Sequence, residues 1–200
     1  HQWVDHIYDM GFSAVLLGPV FQSSSHGYDT CDYYNVDTRL GTKNDLAELI
    51  KHFHSRGIKV IADAVLNHTG RDFWAFYDLR QKGYWSNYKD WFEGINFNKK
   101  SPFGDSFSYR SWRGHYSLVK LNLKNYYVKE HLFNAVKMWA NEIGFDGIRV
   151  DSADQINISF IKELRDFCNK FNKDFFIIGE LIHGDYNKYL NEMDSVTNYQ

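Results

Sequence analysis

The chain has little cysteine. Its 200 residues include only two, Cys31 and Cys168, which lie far apart and outside any paired spacing that a zinc site would need. A disulfide framework and a structural zinc site are therefore not indicated. We predict two free, buried thiols.

An excess of charge of one sign and a long apolar run are also missing. The formal net charge is -2, which argues against a surface that binds nucleic acid. The longest apolar run, residues 12–21, is about half of the roughly 20 residues that a membrane span requires. The 44% hydrophobic content is enough for one sizeable core. We predict no nucleic-acid partner and no membrane span.

Helix and strand signals alternate along the chain. Thr42 and Asp45 form the pattern of a capping box at the start of a helix that Gly57 ends. Apolar residues recur with helical periodicity before Gly144 and before Asn172, which predicts two further helices. Apolar runs between these helices predict strands at 12–20, 59–65, 147–151 and 175–181, and a short helix at 185–193 leads to another apolar stretch at 195–199. This order predicts parallel βαβ units and the α/β class.

Three of the predicted strands end in acidic residues. Asp63, Asp151 and Glu180 lie at or near the ends of apolar runs. In a (β/α) barrel the carboxyl ends of the strands form the active-site face. We therefore expect these three side chains to converge on one pocket.

A long segment separates the second and third of the predicted strands. Residues 71–120 lack long helical periodicity and hold 15 of the 36 aromatic residues, including Trp74, Trp85, Trp91 and Trp112. A bare loop of this length is uncommon, so we predict a small irregular subdomain on the catalytic face. Its aromatic rings either stack on sugars or form the core of the subdomain. The predicted division is 1–69 for the first part of the barrel, 70–120 for the insertion and 121–200 for the second part.

The residue types at these strand ends suit glycoside hydrolysis. Arg149 and Asp151 are two apart, so on a strand they face the same side, where the guanidinium would keep the carboxylate ionised as a nucleophile. The apolar run before Glu180 would favour a protonated general acid. Retaining glycosidases use two such carboxyl groups about 5 to 5.5 Å apart. A metal site of His68 with Asp63 or His183 is the alternative, although no HxH or HExxH pattern supports it.

The segments DAVLNH (63–68), GIRVDSADQ (147–155) and GEL (179–181) resemble the first three signature regions of the α-amylase family of glycoside hydrolases. Residues 11–21 and 26–42 resemble the second strand of that family and the loop after it. The resemblance implies part of a (β/α)8 TIM barrel, about strands 2 to 6, with a small irregular subdomain inserted after the third strand. It also implies hydrolysis of α-1,4-glucosidic bonds in starch-like polysaccharides, maltooligosaccharides or cyclodextrins.

The resemblance also implies roles for single residues. The matching positions are Asp151 for the catalytic nucleophile, Glu180 for the general acid/base, Arg149 for the arginine beside the nucleophile, His68 for a donor to the sugar, Tyr28 for the aromatic platform under that sugar, His26 for a further substrate-loop position, Asp63 for a structural acid grouped with the substrate-binding residues, and Asn67 for a calcium-side asparagine.

Several positions depart from the family pattern. Lys120 and Gln155 stand where relatives that hold a structural calcium carry an aspartate ligand and a histidine. A cation in place of an oxygen ligand does not suit calcium, so we predict that the usual calcium site is absent and that no cofactor is needed. The segment VKLN, with Val119 where proline is common, resembles the neopullulanase and cyclomaltodextrinase branch. Asp154 replaces a lysine of many starch-degrading members, which favours short or cyclic maltooligosaccharides.

The fourth signature of the family, a His-Asp pair on the seventh strand, has no match. We therefore expect a piece of a longer enzyme, or a fragment completed by another chain, that is inactive by itself. A cytoplasmic location and a homodimer are separate expectations. Transglycosylation and a non-catalytic carbohydrate-binding module remain open alternatives. The binding module would be expected to lack the nucleophile or the acid, and the sequence has both. A phosphate-binding barrel isomerase would need a glycine-rich anion loop, and the sequence has none.

Overall fold

The computed structural model describes residues 2–182, 184–197 and 199. The helices are α1 Trp3–Asp9, α2 Lys43–Ser55, α3 Trp74–Lys82, α4 Tyr126–Met138 and α5 Ile158–Phe171. The strands are β1 Ala14–Leu17, β2 Lys59–Ala64, β3 His68–Gly70, β4 Ser111–Trp112, β5 His115–Lys120, β6 Gly147–Val150, β7 Phe176–Gly179 and β8 Ser195–Val196.

Five strands form a parallel sheet in the order β1-β2-β6-β7-β8. Its register pairs Asp63 of β2 with Arg149 of β6, and Arg149 in turn with Ile178 of β7. The carboxyl ends of these strands therefore lie side by side. The α/β class with five parallel strands confirms the prediction of part of a (β/α)8 barrel.

The three helices that connect strands of the parallel sheet, α2, α4 and α5, each begin at a side-chain cap. Thr42 accepts a hydrogen bond from the backbone of Asp45, whose side chain accepts one from the backbone of Thr42, so the predicted capping box is confirmed. Asn125 and Asn157 cap α4 and α5, because their side-chain oxygens accept hydrogen bonds from backbone N–H groups of the first turn. After α4, one π-helical turn, Trp139–Ile143, leads to Gly144 at φ 101°. Trp139 is fully buried and donates its indole N–H to the carbonyl of Tyr33 at 2.7 Å.

The long segment between β2 and β6 holds a second sheet. Strands β3, β5 and β4 are antiparallel in this order. The expectation that residues 71–120 lack a long helix is wrong in part, because α3 spans nine residues of the segment. The exposed aromatic residues Trp74 and Tyr77 alternate with the buried residues Ala75, Phe76 and Leu79. The apolar residues of the helix therefore do not show the spacing of a single buried face.

Within the described parts of the chain, no helix combines the length and the apolar character that a membrane crossing would require.

Candidate active site

A cavity of about 410 Å³ lies at the carboxyl ends of β2, β6 and β7. The residues that line it come from the parallel sheet, from the loop after β1 and from the second sheet: His26, Tyr28, His68, Trp112, Arg113, His115, Ser117, Leu118, Arg149, Asp151, Ser152, Glu180 and Ile182. The structure therefore brings together six of the seven predicted site residues in the lining of one cavity. The seventh, Asp63, lies directly behind it.

Arg149 connects all three acidic residues of the strand ends. Its Nη1 lies 2.6 Å from Asp63 Oδ1 and 3.2 Å from Asp151 Oδ1, and its Nη2 lies 2.6 Å from Glu180 Oε1. The four side chains are between 3 and 13% exposed. One guanidinium is thus shared among three largely buried carboxyl groups, so the cluster has more acid than base.

The sharing of Arg149 affects Asp151. Burial raises the pKa of Asp151 to about 7, the guanidinium of Arg149 opposes this rise, and the nearby carboxylates of Asp63 and Glu180 add to it. This result differs from the expectation that Arg149 alone keeps Asp151 ionised. The sequence shows that the two residues face the same side, but it does not show that Asp63 and Glu180 compete for the same cation.

Glu180 lies among hydrogen-bond donors. Besides its ion pair with Arg149, its Oε1 accepts from the hydroxyl of Tyr199 at 3.2 Å, and its Oε2 accepts from the backbone N–H of Ser152 at 2.9 Å. The preceding apolar run predicts partial desolvation of Glu180, and the side chain is largely buried; the sequence does not predict the polar donors around it. The apolar residues Ile177 and Ile178 belong to the strand itself, whereas the carboxyl group extends beyond its end.

Tyr28 is held against the acidic cluster. Its hydroxyl donates to Asp63 Oδ2 at 3.1 Å, and burial together with Asp63 raises the pKa of Tyr28 to about 12. The phenol therefore stays protonated and its ring is anchored at one end, beside the cavity. Asp63 is buried and holds both Tyr28 and Arg149 from behind. This location fits a supporting acid and differs from the expected place among the substrate-binding residues.

His68 presents one free ring nitrogen. Burial lowers the pKa of His68 to about 4, so the imidazole is neutral at physiological pH. Asn67 Nδ2 lies 3.3 Å from His68 Nδ1. An amide nitrogen only donates, so Nδ1 accepts and the ring proton is on Nε2. This Nε2 is buried and has no partner among the described residues, which leaves it available as a donor to a bound molecule.

His26 lies on the more open side of the cavity. Its side chain is 52% exposed, with Nδ1 3.6 Å from Asp29 Oδ1. The backbone N–H of Tyr28 donates to the same Nδ1 at 3.2 Å. The imidazole is thereby oriented next to the Tyr28 ring, at a centroid distance of 6.2 Å.

The alternative of a metal site finds no support among the described residues, in which no group of three His, Cys, Asp or Glu side chains is arranged to hold an ion. The predicted ligand His183 lies outside the described residues.

Arg113, His115 and Ser152 also line the cavity and were not predicted from the sequence. The first two follow Trp112 at the tip of the β4–β5 hairpin, where the Trp112 and His115 rings stack at a centroid distance of 5.4 Å. Gly114 in the SWRGHY segment favours a turn. Nothing in the sequence predicts that this turn lies over the cavity.

The remaining aromatic residues of the insertion mostly form its core. Phe76 packs edge-on against Phe92, Phe107 and Tyr109 at centroid distances of 5.0 to 5.9 Å. Of the four tryptophans named above, Trp112 lines the cavity, Trp74 and Trp91 pack on each other, and Trp85 is 82% exposed. Packing in the core therefore accounts for most of these rings, and among the four tryptophans Trp112 is the one that lines the cavity.

If Asp151 is the nucleophile that the family resemblance implies, its raised pKa predicts a pH dependence for the full-length protein. An attacking carboxyl group must be ionised, so kcat/KM would fall as the pH drops below about 7. Asp63→Asn removes a negative charge that raises this pKa and also releases Arg149 Nη1 to Asp151. The acidic limb of the profile should therefore move to lower pH by about one unit.

The control for this prediction is Asp105→Asn, which changes a buried ion pair with Arg71 in the insertion. Its acidic limb should coincide with that of the unmodified protein. An unchanged limb in Asp63→Asn would show that the three carboxyl groups do not influence one another.

Comparison with known proteins identifies the family of the chain. The sequence model of the family described as alpha amylase, catalytic domain, matches residues 1–200. Cyclomaltodextrinase of Thermoanaerobacter pseudethanolicus is 37% identical over 202 residues, which cover 98% of this chain and 34% of that protein. Neopullulanase 2 of Thermoactinomyces vulgaris is 38% identical over 200 residues, with 97% and 33% covered.

Solved structures are similar over the same extent. The debranching enzyme of Nostoc punctiforme superimposes with a TM-score of 0.91 at 35% identity, covering 99% of this chain and 41% of the other. A cyclomaltodextrinase structure has a TM-score of 0.90 at 35% identity, covering 98% and 34%. The chain thus spans about a third of the length of the curated relatives described here.

Proposed function

Because this chain belongs to the alpha-amylase catalytic domain family, we propose that its full-length protein is a retaining hydrolase of α-1,4-glucosidic bonds. The substrates are starch-like α-glucans, maltooligosaccharides or cyclodextrins. The observation that carries the proposal is the cluster of Asp151 and Glu180 around Arg149 at the base of one cavity. Relatives at 35 to 38% identity bear the names cyclomaltodextrinase, neopullulanase and maltogenic alpha-amylase.

In this mechanism Glu180 protonates the oxygen of the leaving sugar while Asp151 attacks the anomeric carbon. The bond to the leaving group breaks, and a covalent glycosyl ester forms on Asp151. Glu180 then removes a proton from the incoming water, which releases Asp151 and the product. Arg149 contacts both carboxyl groups and thus fixes their orientation through both steps.

Two further groups are suited to hold the sugar next to Asp151. The Tyr28 ring, anchored through its hydroxyl, offers an apolar face to the C–H face of a pyranose. His68 Nε2–H is a neutral donor without a hydrogen-bond partner among the described residues, so a sugar hydroxyl would satisfy it. His26 borders the same space and adds a polar group at its open side.

Hydrolysis with retention makes a specific prediction for the product. Two successive displacements at the anomeric carbon restore its configuration, so the sugar first released should be the α-anomer. Proton NMR during early turnover of maltotriose by the full-length protein measures this directly. Initial release of the β-anomer would contradict the proposal, as would a complete lack of cleavage. A longer saccharide formed in the presence of added maltose would instead indicate transglycosylation.

We also propose that the family's usual calcium is not required. Asn67 Oδ1 is buried and has no partner, so one oxygen is available. The neighbouring position on the paired strand is Lys120, which lies opposite His68. An ammonium group there opposes a divalent cation, which needs several oxygen ligands. Cytoplasmic location, assembly as a homodimer and inactivity of the 200 residues alone stay predictions.

A further inference from the structure

The tip of the β4–β5 hairpin, residues 112–115, is attached to the loop that follows Asp151. Trp112 Nε1 donates to Ser152 Oγ at 3.0 Å, and Arg113 Nη2 lies 3.2 Å from Asp154 Oδ2. Ser152 is 3% exposed. Two neighbouring residues of the hairpin tip thus contact two residues of the loop that follows β6 of the parallel sheet.

The backbone is unusual on both sides of this attachment. Arg113 and Ser152 have φ values of 46° and 48°, and they are the non-glycine residues with positive φ in the described chain. Such a conformation is unfavourable for a residue with a Cβ and persists where the surroundings impose it. Its occurrence on both sides of the attachment indicates that these contacts impose a definite shape on the loop.

That shape determines where the backbone N–H of Ser152 is directed. In its left-handed conformation Ser152 donates this N–H to Glu180 Oε2 at 2.9 Å. The other oxygen, Oε1, accepts from Arg149 and Tyr199. Among the described residues, Ser152 is therefore the donor that contacts Oε2. Trp112 acts on the same residue from the opposite side, through the hydroxyl group.

We propose that Trp112 is a positioning residue for the general acid: through Ser152 it keeps the Glu180 carboxyl group aimed at the leaving oxygen. The inserted subdomain thereby takes part in proton transfer without touching the reacting atoms, and Arg113 supports it by fixing the neighbouring Asp154. This inference rests on the proposed function, because it takes Glu180 as the acid.

The decisive substitution is Trp112→Phe in the full-length protein. Phenylalanine keeps an aromatic ring next to His68 and His115 but lacks the N–H. The probes are phenyl α-maltosides that differ only in ring substituents, so that leaving groups of similar shape need different amounts of protonation. We expect kcat/KM to fall about tenfold for the poorest leaving group and to stay within about twofold for the best one.

Three further variants accompany it. Ser152→Ala removes the acceptor of the same hydrogen bond, together with the hydroxyl group beside Asp151, and should give at least the same dependence on the leaving group. The double variant should lose no more than Ser152→Ala alone, since the hydrogen bond that Trp112→Phe removes is already absent there. Trp85→Phe, at a tryptophan that is 82% exposed on the same subdomain, should match the unmodified protein. Circular dichroism verifies that each variant is folded. If Trp112→Phe does not fold, Ser152→Ala still tests the proposal.

The outcomes separate this inference from the proposed function. An equal loss for all leaving groups would overturn the positioning role, since it would make Trp112 a part of the sugar-binding surface. Additive losses in the double variant, or no loss at all, would also overturn it. Failure of the unmodified protein to cleave any of the maltosides would instead contradict the proposed function itself.

Discussion

Asp151→Asn is expected to reduce kcat of the full-length protein on maltooligosaccharides by more than about 10³-fold. The amide has nearly the same shape as the carboxyl group, but it is a poor nucleophile and forms no stable ester with the sugar. Its neighbours Arg149 and Glu180 remain. Binding of maltotriose should therefore stay measurable by isothermal titration calorimetry, even though turnover has ceased.

A second variant distinguishes a nucleophile from a supporting residue. Asp151→Gly leaves a space in which a small anion fits, so azide should restore cleavage of an aryl α-maltoside and yield a β-configured glycosyl azide. The matched control for the amide substitution is Asp166→Asn, at an exposed position of α5, which should turn over normally. Near-normal turnover of Asp151→Asn, or an azide product of α-configuration, would contradict the role of Asp151.

Arg149→Met should have the largest effect on stability. The substitution leaves Asp63, Asp151 and Glu180 close together, largely buried and without the cation that they share. Removal of one partner from a buried ionic cluster typically costs about 3 to 5 kcal/mol. Urea unfolding of the full-length protein at pH 7, followed by circular dichroism, measures this loss.

The dependence of that loss on pH is a stringent test. The pKa values of Asp63 and Asp151 are already raised in the folded protein, and without the guanidinium they should rise further above those of the unfolded chain. An acid whose folded-state pKa is raised lowers stability as the pH increases past its unfolded value. The deficit of Arg149→Met should therefore be greatest near pH 7 or above and shrink as the pH falls towards 4.

Arg149→Lys is the matched control, since it keeps the charge. One ammonium group cannot reach Asp63 and Glu180 with two nitrogens in the manner of a guanidinium, so we expect an intermediate loss with a weaker dependence on pH. A loss in Arg149→Met that is independent of pH would indicate a packing defect and would exclude electrostatic stabilisation by Arg149.

Much of the barrel and part of the site follow from local patterns. Thr42 with Asp45 predicts the start of α2, and an apolar run that ends in Arg149 and Asp151 predicts a buried parallel strand with polar groups at its end. These features are readable because each depends on residues that are close in sequence. The convergence of the strand ends then follows from the geometry of a parallel sheet.

The parts that could not be predicted depend on contacts between distant segments. The hydrogen bond between Trp112 and Ser152 joins residues 40 positions apart, and nothing local requires Ser152 to adopt a left-handed conformation that glycine usually occupies. The polar surroundings of Glu180 could not be predicted for the same reason. Its donors, Arg149 and Tyr199, come from other segments, so the apolar residues beside it in sequence do not indicate them.

The pairing of the second sheet has a consequence for how the protein can diversify. Thr69 of β3 and Ser111 of β4 both pair with Val119 of the strand between them. The chain thus leaves the cavity after β3, on one side of β5, and returns to it at β4, on the other side. The exposed turn at residues 102–104 can lengthen or shorten during evolution without shifting the positions of His68 and Trp112, because both lie on strands held by the same partner. Natural variants of this protein should therefore tolerate insertions in this turn, which offers a place to acquire new surfaces while the chemistry is retained.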